Sequence, residues 1–310
     1  MFKFYVRKLA WLCIPRFILQ RYRTHLEKKW HNQHEYIQTR INYYCALKQG
    51  FSLDAKATTY NSYQRKGNTA YFLDLKEYLR YFPRTFRFLY HFGDETHVND
   101  KPTLFKARPQ RSENENSVLF KLDTPRHFRF VNDTTSFRDK KNMAIFRGAV
   151  HGEQSHRVSF MRKMFDHPLM DAGQPNFSDS EYFETRWQKP YMDVNEQLQY
   201  KFLVCLEGND VASNLKWAMS SNSVVITPKM KFETWFMEGK LEAGVHYIEV
   251  KDDWSDFDEK MAYYLANPEK AEAIIKNAHA HVAPFLNSEL ERLVCIKTLE
   301  RYFELSSQVI

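Results

Sequence analysis

The stretch from Lys201 to Val250, KFLVCLEGNDVASNLKWAMSSNSVVITPKMKFETWFMEGKLEAGVHYIEV, constrains the fold more than any other part of the chain. Phe202 to Leu206 is a short apolar run, broken by Glu207, Gly208, Asn209 and Asp210. Val211 to Ser221 has a helical pattern, Ser223 to Thr227 is β-branched and apolar, Phe232 to Leu241 reads as helix, and His246 to Val250 alternates like a strand. Strands that alternate with helices select a parallel α/β sheet. A polar turn between a strand and a helix N-terminus is where such sheets hold phosphate, because unpaired backbone N–H groups and the helix dipole point there.

A second unit of the same kind opens upstream. Met143 to Arg147 reads as a strand, Gly148 follows, and Glu153 to Phe165 reads as a helix. Residues 166–192 contain several prolines and read as loop. Pro268 suits a helix first turn, Pro284 should end that helix, and Ser288 should cap a last one with Glu291 in the capping-box position. Nearer the N-terminus, Arg87 to Phe92 reads as a strand ending in Gly93-Asp94-Glu95. Ser117 to Leu122 reads as another strand, and 132–142 as a polar linker. The expected division is 1–140 as one domain with a basic helical N-terminal segment, 141–287 as a second, α/β domain, and 288–310 as a C-terminal helix packing back on the first.

The net charge of +7 favours an acidic partner, and the excess is local. Residues 1–50 hold Lys3, Arg7, Lys8, Arg16, Arg21, Arg23, Lys28, Lys29, Arg40 and Lys48 against Glu27 and Glu35. Residues 1–48, read as one or two basic helices, can lie on an anionic membrane surface or pack on the domain with their charges in water. The four cysteines form no CxxC pair, which suits core thiols in a reducing compartment. The apolar patch Leu9 to Ile14 is interrupted by Pro15 and Arg16, unlike a secretory signal. No run reaches the roughly 20 apolar residues of a spanning helix. The expectation is a soluble or membrane-associated protein, not an integral one.

Three places carry chemistry. In the first, Arg147 and Gly148 end a strand, and His151, Ser155, His156 and Arg157 follow. Either Arg147 or Arg157 could grip a diphosphate with its fork, or be an ordinary surface arginine beside a turn. In the second, Gly208 allows a tight turn, Asn209, Asp210, Ser213 and Asn214 can bond ribose, phosphate or sugar hydroxyls, and Lys216 could neutralise phosphate. The segment has neither a Walker A loop nor GxGxxG, and a capped helix without a ligand is the alternative. In the third, Asp94 stands just past a strand end, where a carboxylate can take a proton from a hydroxyl or simply cap a turn. His91, His97 and His127 lack metal-ligand spacing, and no Ser-His-Asp or Cys-His hydrolase pattern is present.

Together, the FRG at 146–148, YKFLVCLEGNDVASNLKWAMSSNSVV at 200–225 and WFMEGKLEAGVHYIEV at 235–250 resemble glycosyltransferase family 90. HFGDETH at 91–97, FKARP at 105–109 and NSVLFKLDTPRHF at 116–128 are similar in style to its bacterial lipopolysaccharide core branch; the family also includes eukaryotic protein O-glucosyltransferases. The resemblance implies a GT-B fold, two Rossmann-like domains facing across a cleft. It implies an inverting, metal-independent transfer of a hexose, glucose or galactose, from a UDP-sugar to the lipopolysaccharide inner core, with no cofactor. Asp94 would be the catalytic base. Arg147, Gly148, His151, Ser155, Arg157, Gly208, Asn209, Asp210, Val211, Ala212, Ser213, Asn214 and Lys216 would form the donor site, and Glu95, Lys106 and Arg108 would face the acceptor. Asp94 follows His-Phe-Gly where eukaryotic members have Asn-Val-Arg, and Asn214 stands where they have Arg, which leaves open how the diphosphate is neutralised, with Arg157 as one candidate substitute. The alternatives are a transferase acting on a protein or capsular polymer, and a basic nucleic-acid-binding protein. Against the latter, the charge is concentrated at the N-terminus and no helix-turn-helix, zinc-finger or RNP pattern occurs.

Overall fold

The computed structural model describes residues 2–65, 67, 69–151, 154–175 and 184–309. In chain order the elements begin with α1 (Phe2–Cys13), α2 (Arg16–Lys29), α3 (His34–Tyr44), β1 (Thr58–Thr59), α4 (Thr69–Leu79), β2 (Arg87–Phe88), β3 (Thr103–Phe105), β4 (Ala107–Pro109), β5 (Ser117–Leu119) and α5 (Thr124–His127). They continue with β6 (Lys141–Arg147), α6 (Ser155–Met164), β7 (Met170–Gly173), α7 (Val194–Gln197), β8 (Tyr200–Val204), α8 (Leu215–Met219), β9 (Val224–Pro228), β10 (Phe232–Thr234), β11 (Ile248–Val250), α9 (Phe257–Ala266), α10 (Pro268–Leu286) and α11 (Ser288–Leu305). Two compact units result: Met1–Phe128 with Phe232–Met237 and Pro284–Ile310, and Arg129–Lys231 with Glu238–Ala283.

The second unit is the α/β body. Its five strands are all parallel, in the order β11-β9-β8-β6-β7. Every residue of β8 is buried, as a strand covered on both faces requires. Phe146, Phe160, Trp187, Phe202, Ile226, Ile248, Trp254 and Ile274 are part of one continuous core. β7 lies inside the stretch expected to be loop. Its sequence, Met-Asp-Ala-Gly, has little β-propensity, and edge pairing with β6 makes the strand. The expected linker at 132–142 is packed instead. Phe137 is buried, Asp133 accepts from Asn222 N (2.9 Å) and Lys140 Nζ (2.6 Å), and β6 begins at Lys141.

The first unit is helical around α11, which packs against α2, α3 and α4. Its described strands are short: β1 pairs with β2, β10 with β4, and β3 runs parallel to β5, with Tyr90 bridging Leu104. Phe232 to Leu241, expected as helix, begins as β10, because Trp235 is withdrawn to stack on Tyr44 with ring centroids 3.8 Å apart. Glu233 meanwhile pairs with Arg108 (2.7 Å). Pro284 lies inside α10 instead of ending it. The cap of α11 is Asn287, which accepts from Leu290 N at 3.1 Å. Glu291 is therefore not a capping-box partner but a buried charge, held by Arg40 (2.5 Å), Lys121 (2.7 Å) and Trp235 Nε1 (2.8 Å).

The N-terminal segment forms three α-helices where one or two were expected. The inner face of α1 places Lys8 between Asp74 and Glu77 of α4, and Trp11 beneath Arg292 at 3.7 Å. Its outer face leaves Val6 and Leu9 49% and 57% exposed, and α2 begins with Phe17 and Ile18 at 62% and 44%. Lys3, Arg7, Arg16 and Arg21 are exposed in the same two helices.

Candidate functional site

The topology of the second unit marks one place for a ligand. From β6 the chain moves outward to β7, then crosses to the other side of β6 and continues through β8, β9 and β11. The connections diverge between β6 and β8, and open parallel sheets bind ligands at the carboxyl ends of the strands beside such a point. Those ends carry the two turns that the sequence singles out, Arg147 to Arg157 and Glu207 to Lys216.

Arg157 ties the two turns together. Its guanidinium donates to Glu207 O (2.7 Å), Leu206 O (2.7 Å) and Ala149 O (2.6 Å), so it shapes the backbone on both sides. His156 donates from Nε2 to Glu207 O at 2.8 Å; burial holds its pKa below the usual imidazole value. Gln154, which is buried, donates to Asn209 Oδ1 at 2.9 Å. Arg147 is pinned to Asp171 of β7, with Nη2 to Oδ1 at 2.8 Å and Nη1 to the carbonyl at 2.8 Å. Burial pushes the Asp171 carboxyl up, but Lys189 (2.9 Å), Tyr200 (2.7 Å) and Arg147 outweigh it, and the net shift is downward. At Gly148 a Cβ would lie 2.8 Å from Phe146 Cζ, so the backbone there passes too close to the ring for any side chain.

The helix after β8 is shorter than the sequence suggests. Gly208 N bonds Asp210 O (2.8 Å) and Asn214 Nδ2 donates to Val204 O (3.0 Å), which holds 208–214 as a turn and leaves only Leu215–Met219 helical. Asn209 and Ser213 are exposed, Gly208 and Asn214 half-buried, and Asp210, Val211 and Ala212 buried. Lys216 is fully buried, with Nζ 2.5 Å from Glu238 Oε1, so its charge is matched inside the protein. His151 and Ser155 stand exposed at the start of α6, while Glu153 lies outside the described residues.

The Asp94 site belongs to the first unit. Gly93, at φ +131°, turns the chain after Phe92 in a conformation that L side chains rarely adopt, and Asp94 follows. Lys106 Nζ donates to Asp94 Oδ1. Arg126 grips both oxygens, Nη2 to Oδ2 at 2.7 Å and Nη1 to Oδ1 at 3.1 Å, and Tyr71 OH stands 3.4 Å from Oδ1. Burial opposes ionisation, but the Arg126 hydrogen bonds and the Lys106 charge override it and hold the carboxyl at about 2. Of the expected acceptor-side residues, Lys106 thus joins Asp94. Arg108 is buried and spent on Glu233, Tyr43 O (2.9 Å) and Ser117 O (3.4 Å). Glu95 is exposed, 3.3 Å from His97 Nδ1. Among the described residues, no group of three or more His, Cys, Asp or Glu side chains is placed to hold a metal ion.

Residues 124–307 match the family described as Glycosyl transferase family 90. The chain belongs to that family. It is 42% identical, over 87% of its length and 83% of the relative's, to O-glucosyltransferase LpsA of Dichelobacter nodosus. It is 27% identical to human Protein O-glucosyltransferase 3 over 57% of this chain and 34% of that one. It is also 24% identical to Uncharacterized protein 179R of Invertebrate iridescent virus 6, over 64% of this chain and 19% of that one. The protein is a glycosyltransferase.

Sequence reasoning assigned no role to Arg126, Asp171, Gln154 or Glu238. Arg126 sits in the TPRHF run that carries part of the family likeness, but nothing in that run says that its side chain reaches a carboxylate 32 residues earlier. Asp171 was hidden because its strand has no strand-like pattern.

Proposed function

We propose that this glycosyltransferase moves glucose from UDP-glucose onto the lipopolysaccharide core, with inversion and without a metal, on a GT-B fold at an anionic membrane surface. The observation that carries this reading is the 42% identity, along most of both chains, to a relative named as an O-glucosyltransferase LpsA. The diverging turns after β6 and β8 support a nucleotide-sugar site in the second unit. The ionised Asp94 supports a base in the first.

In the step, an acceptor oxygen attacks the anomeric carbon while its proton passes to Asp94. The C1–O bond to UDP breaks, and its electron pair leaves on the diphosphate. Backbone N–H groups of the two turns, with the exposed His151, Ser155, Asn209 and Ser213, would stabilise the charge that develops there. One displacement turns an α-linked donor into a β-linked product.

The membrane contact is supported by Val6, Leu9, Phe17 and Ile18, exposed beside Lys3, Arg7, Arg16 and Arg21. No acidic residue precedes Glu27. Among the described residues, no helix is long and apolar enough to cross a membrane.

UDP release is measured with UDP-glucose and with UDP-galactose, with truncated lipopolysaccharide acceptor present or absent, in EDTA. The product anomer is read by NMR. Acceptor-dependent release from UDP-glucose, giving a β-linked product in EDTA, is expected. Release from UDP-galactose alone would overturn the sugar, an α-linked product the inversion, and dependence on added metal the metal-free reading. Transfer to a protein or capsular acceptor in place of the core would overturn the acceptor.

A further inference from the structure

Asp94 is held by two cations with very different freedom to move. The Lys106 side chain is 1% exposed and 3.4 Å from His127 Nε2, so it stays where it is. The Arg126 side chain is 43% exposed. Beyond its two contacts with Asp94, its Nη1 lies 3.5 Å from Asp123 Oδ2. The backbone that carries it is anchored. Asp74 accepts from both Thr124 N and Thr124 Oγ1 at 2.9 Å, and Asp123 is buried in the left-handed region at φ 53°. A swing of Arg126 therefore requires only side-chain torsions.

The clamp conflicts with the task given to Asp94. Oδ1 takes donors from Lys106, Arg126 and Tyr71, and Oδ2 takes Arg126. A carboxylate held this way is a weak base: Oδ1 is already crowded by three donors, and at Oδ2 an acceptor hydroxyl has to compete with the Arg126 fork. The donor displaced at least cost is the exposed one, because water or another anion can replace what it loses. The planar fork of an arginine suits a phosphate or carboxylate as well as it suits Asp94.

We propose that Arg126 is the acceptor's anion subsite: it leaves Asp94 for a phosphate or carboxylate group of the incoming acceptor, and the base is unmasked only when that charged acceptor is in place. Lys106 then remains to keep Asp94 ionised, while loss of the Arg126 hydrogen bonds lets burial raise the carboxyl's proton affinity. Among the described residues, the titratable and charged groups around the pair include Tyr71 and Asp74 on α4, Lys106 between β3 and β4, and Asp123 and His127 at the two ends of α5. This inference rests on the reading of Asp94 as the base.

Arg126→Ala and Arg126→Lys are compared with wild type and Asp94→Asn in the full chain. Three forms of truncated lipopolysaccharide core serve as acceptors: untreated, stripped of phosphate, and methyl-esterified at its carboxyl groups. KM and kcat are read separately, together with the acid limb of kcat/KM. Wild type should favour the untreated acceptor by about 10–100-fold over whichever treated form lacks the recognised group, the worth of one charge-assisted contact. Arg126→Ala should lose that preference and move the acid limb to higher pH. Arg126→Lys should recover part of the preference. An equal loss on all three acceptors with an unmoved acid limb would overturn the proposal, as would a wild type that does not distinguish them. Full activity in Asp94→Asn would instead overturn the reading of the base, whatever Arg126 does.

Discussion

Lys216 separates two accounts of the donor site. The sequence offers it as a cation for the diphosphate, while the fold buries it completely against an equally buried Glu238, Nζ to Oε1 2.5 Å. If the pair is structural, Lys216→Met leaves Glu238 as a buried carboxylate without that counter-charge. Breaking such a pair from one side costs about 3–5 kcal/mol. At about 2–4 °C per kcal/mol for a body of this size, the melting temperature should fall by about 6–20 °C. The double variant Lys216→Met/Glu238→Leu removes both charges and should recover most of that loss, since apolar replacement of a whole buried pair is often neutral or better. UDP affinity, measured by calorimetry on the double variant, should stay within about threefold of wild type, because no phosphate contact has been removed. A Lys216→Met variant as stable as wild type that loses tenfold or more in UDP affinity would refute the structural role. Lys216 would then be reaching the ligand, and its pairing with Glu238 would be incidental to stability.

Other consequences can be checked separately. Arg157→Ala removes three bonds to backbone carbonyls, 2.6–2.7 Å long, that tie the β6 and β8 turns together. Donor affinity should fall about tenfold or more, and Arg157→Lys should rescue little because an ammonium cannot span three acceptors as a planar fork does. The depressed pKa of Asp94 means that its ionised form stabilises the fold. That contribution is present above the unfolded carboxyl pKa and is lost as pH falls toward about 2. The stability gap between wild type and Asp94→Asn should therefore be constant near pH 6 and narrow from about pH 4 downward, as followed by urea titration. Replacing Val6, Leu9, Phe17 and Ile18 with serine should reduce sedimentation with phosphatidylglycerol vesicles while leaving acceptor-free UDP binding unchanged. Unaltered sedimentation would remove the membrane role of that face.

What the sequence made legible follows from what each signal depends on. β8, β9 and the Ala144–Phe146 centre of β6 are buried and mostly apolar or β-branched, so their character is local and could be read. β7 and β10 exist because of their partners. Met-Asp-Ala-Gly becomes a strand beside β6, and Phe-Glu-Thr becomes one beside β4, with Trp235 drawn onto Tyr44. Neither cause is present within the segment itself. The site shows the same division. The turns at 147–157 and 207–216 are recognisable by composition, and the divergence of connections between β6 and β8 gives them a physical reason to bind a ligand. What the cations in them do is a matter of tertiary pairing: Arg147 with Asp171, Lys216 with Glu238, and Arg157 with three carbonyls. The clamp on Asp94 lay furthest from view, because Lys106 and Arg126 come from two further segments and meet only when the first unit folds.

The central claim is that Asp94 takes the acceptor's proton. The most direct test measures acceptor-dependent UDP release by Asp94→Asn beside wild type, with UDP binding to both followed by calorimetry. The account predicts a loss of about 10²–10⁴-fold in kcat, the usual worth of a positioned base, with UDP affinity nearly unchanged. Release at the wild-type rate by Asp94→Asn would contradict it and move the search for the base to another carboxylate.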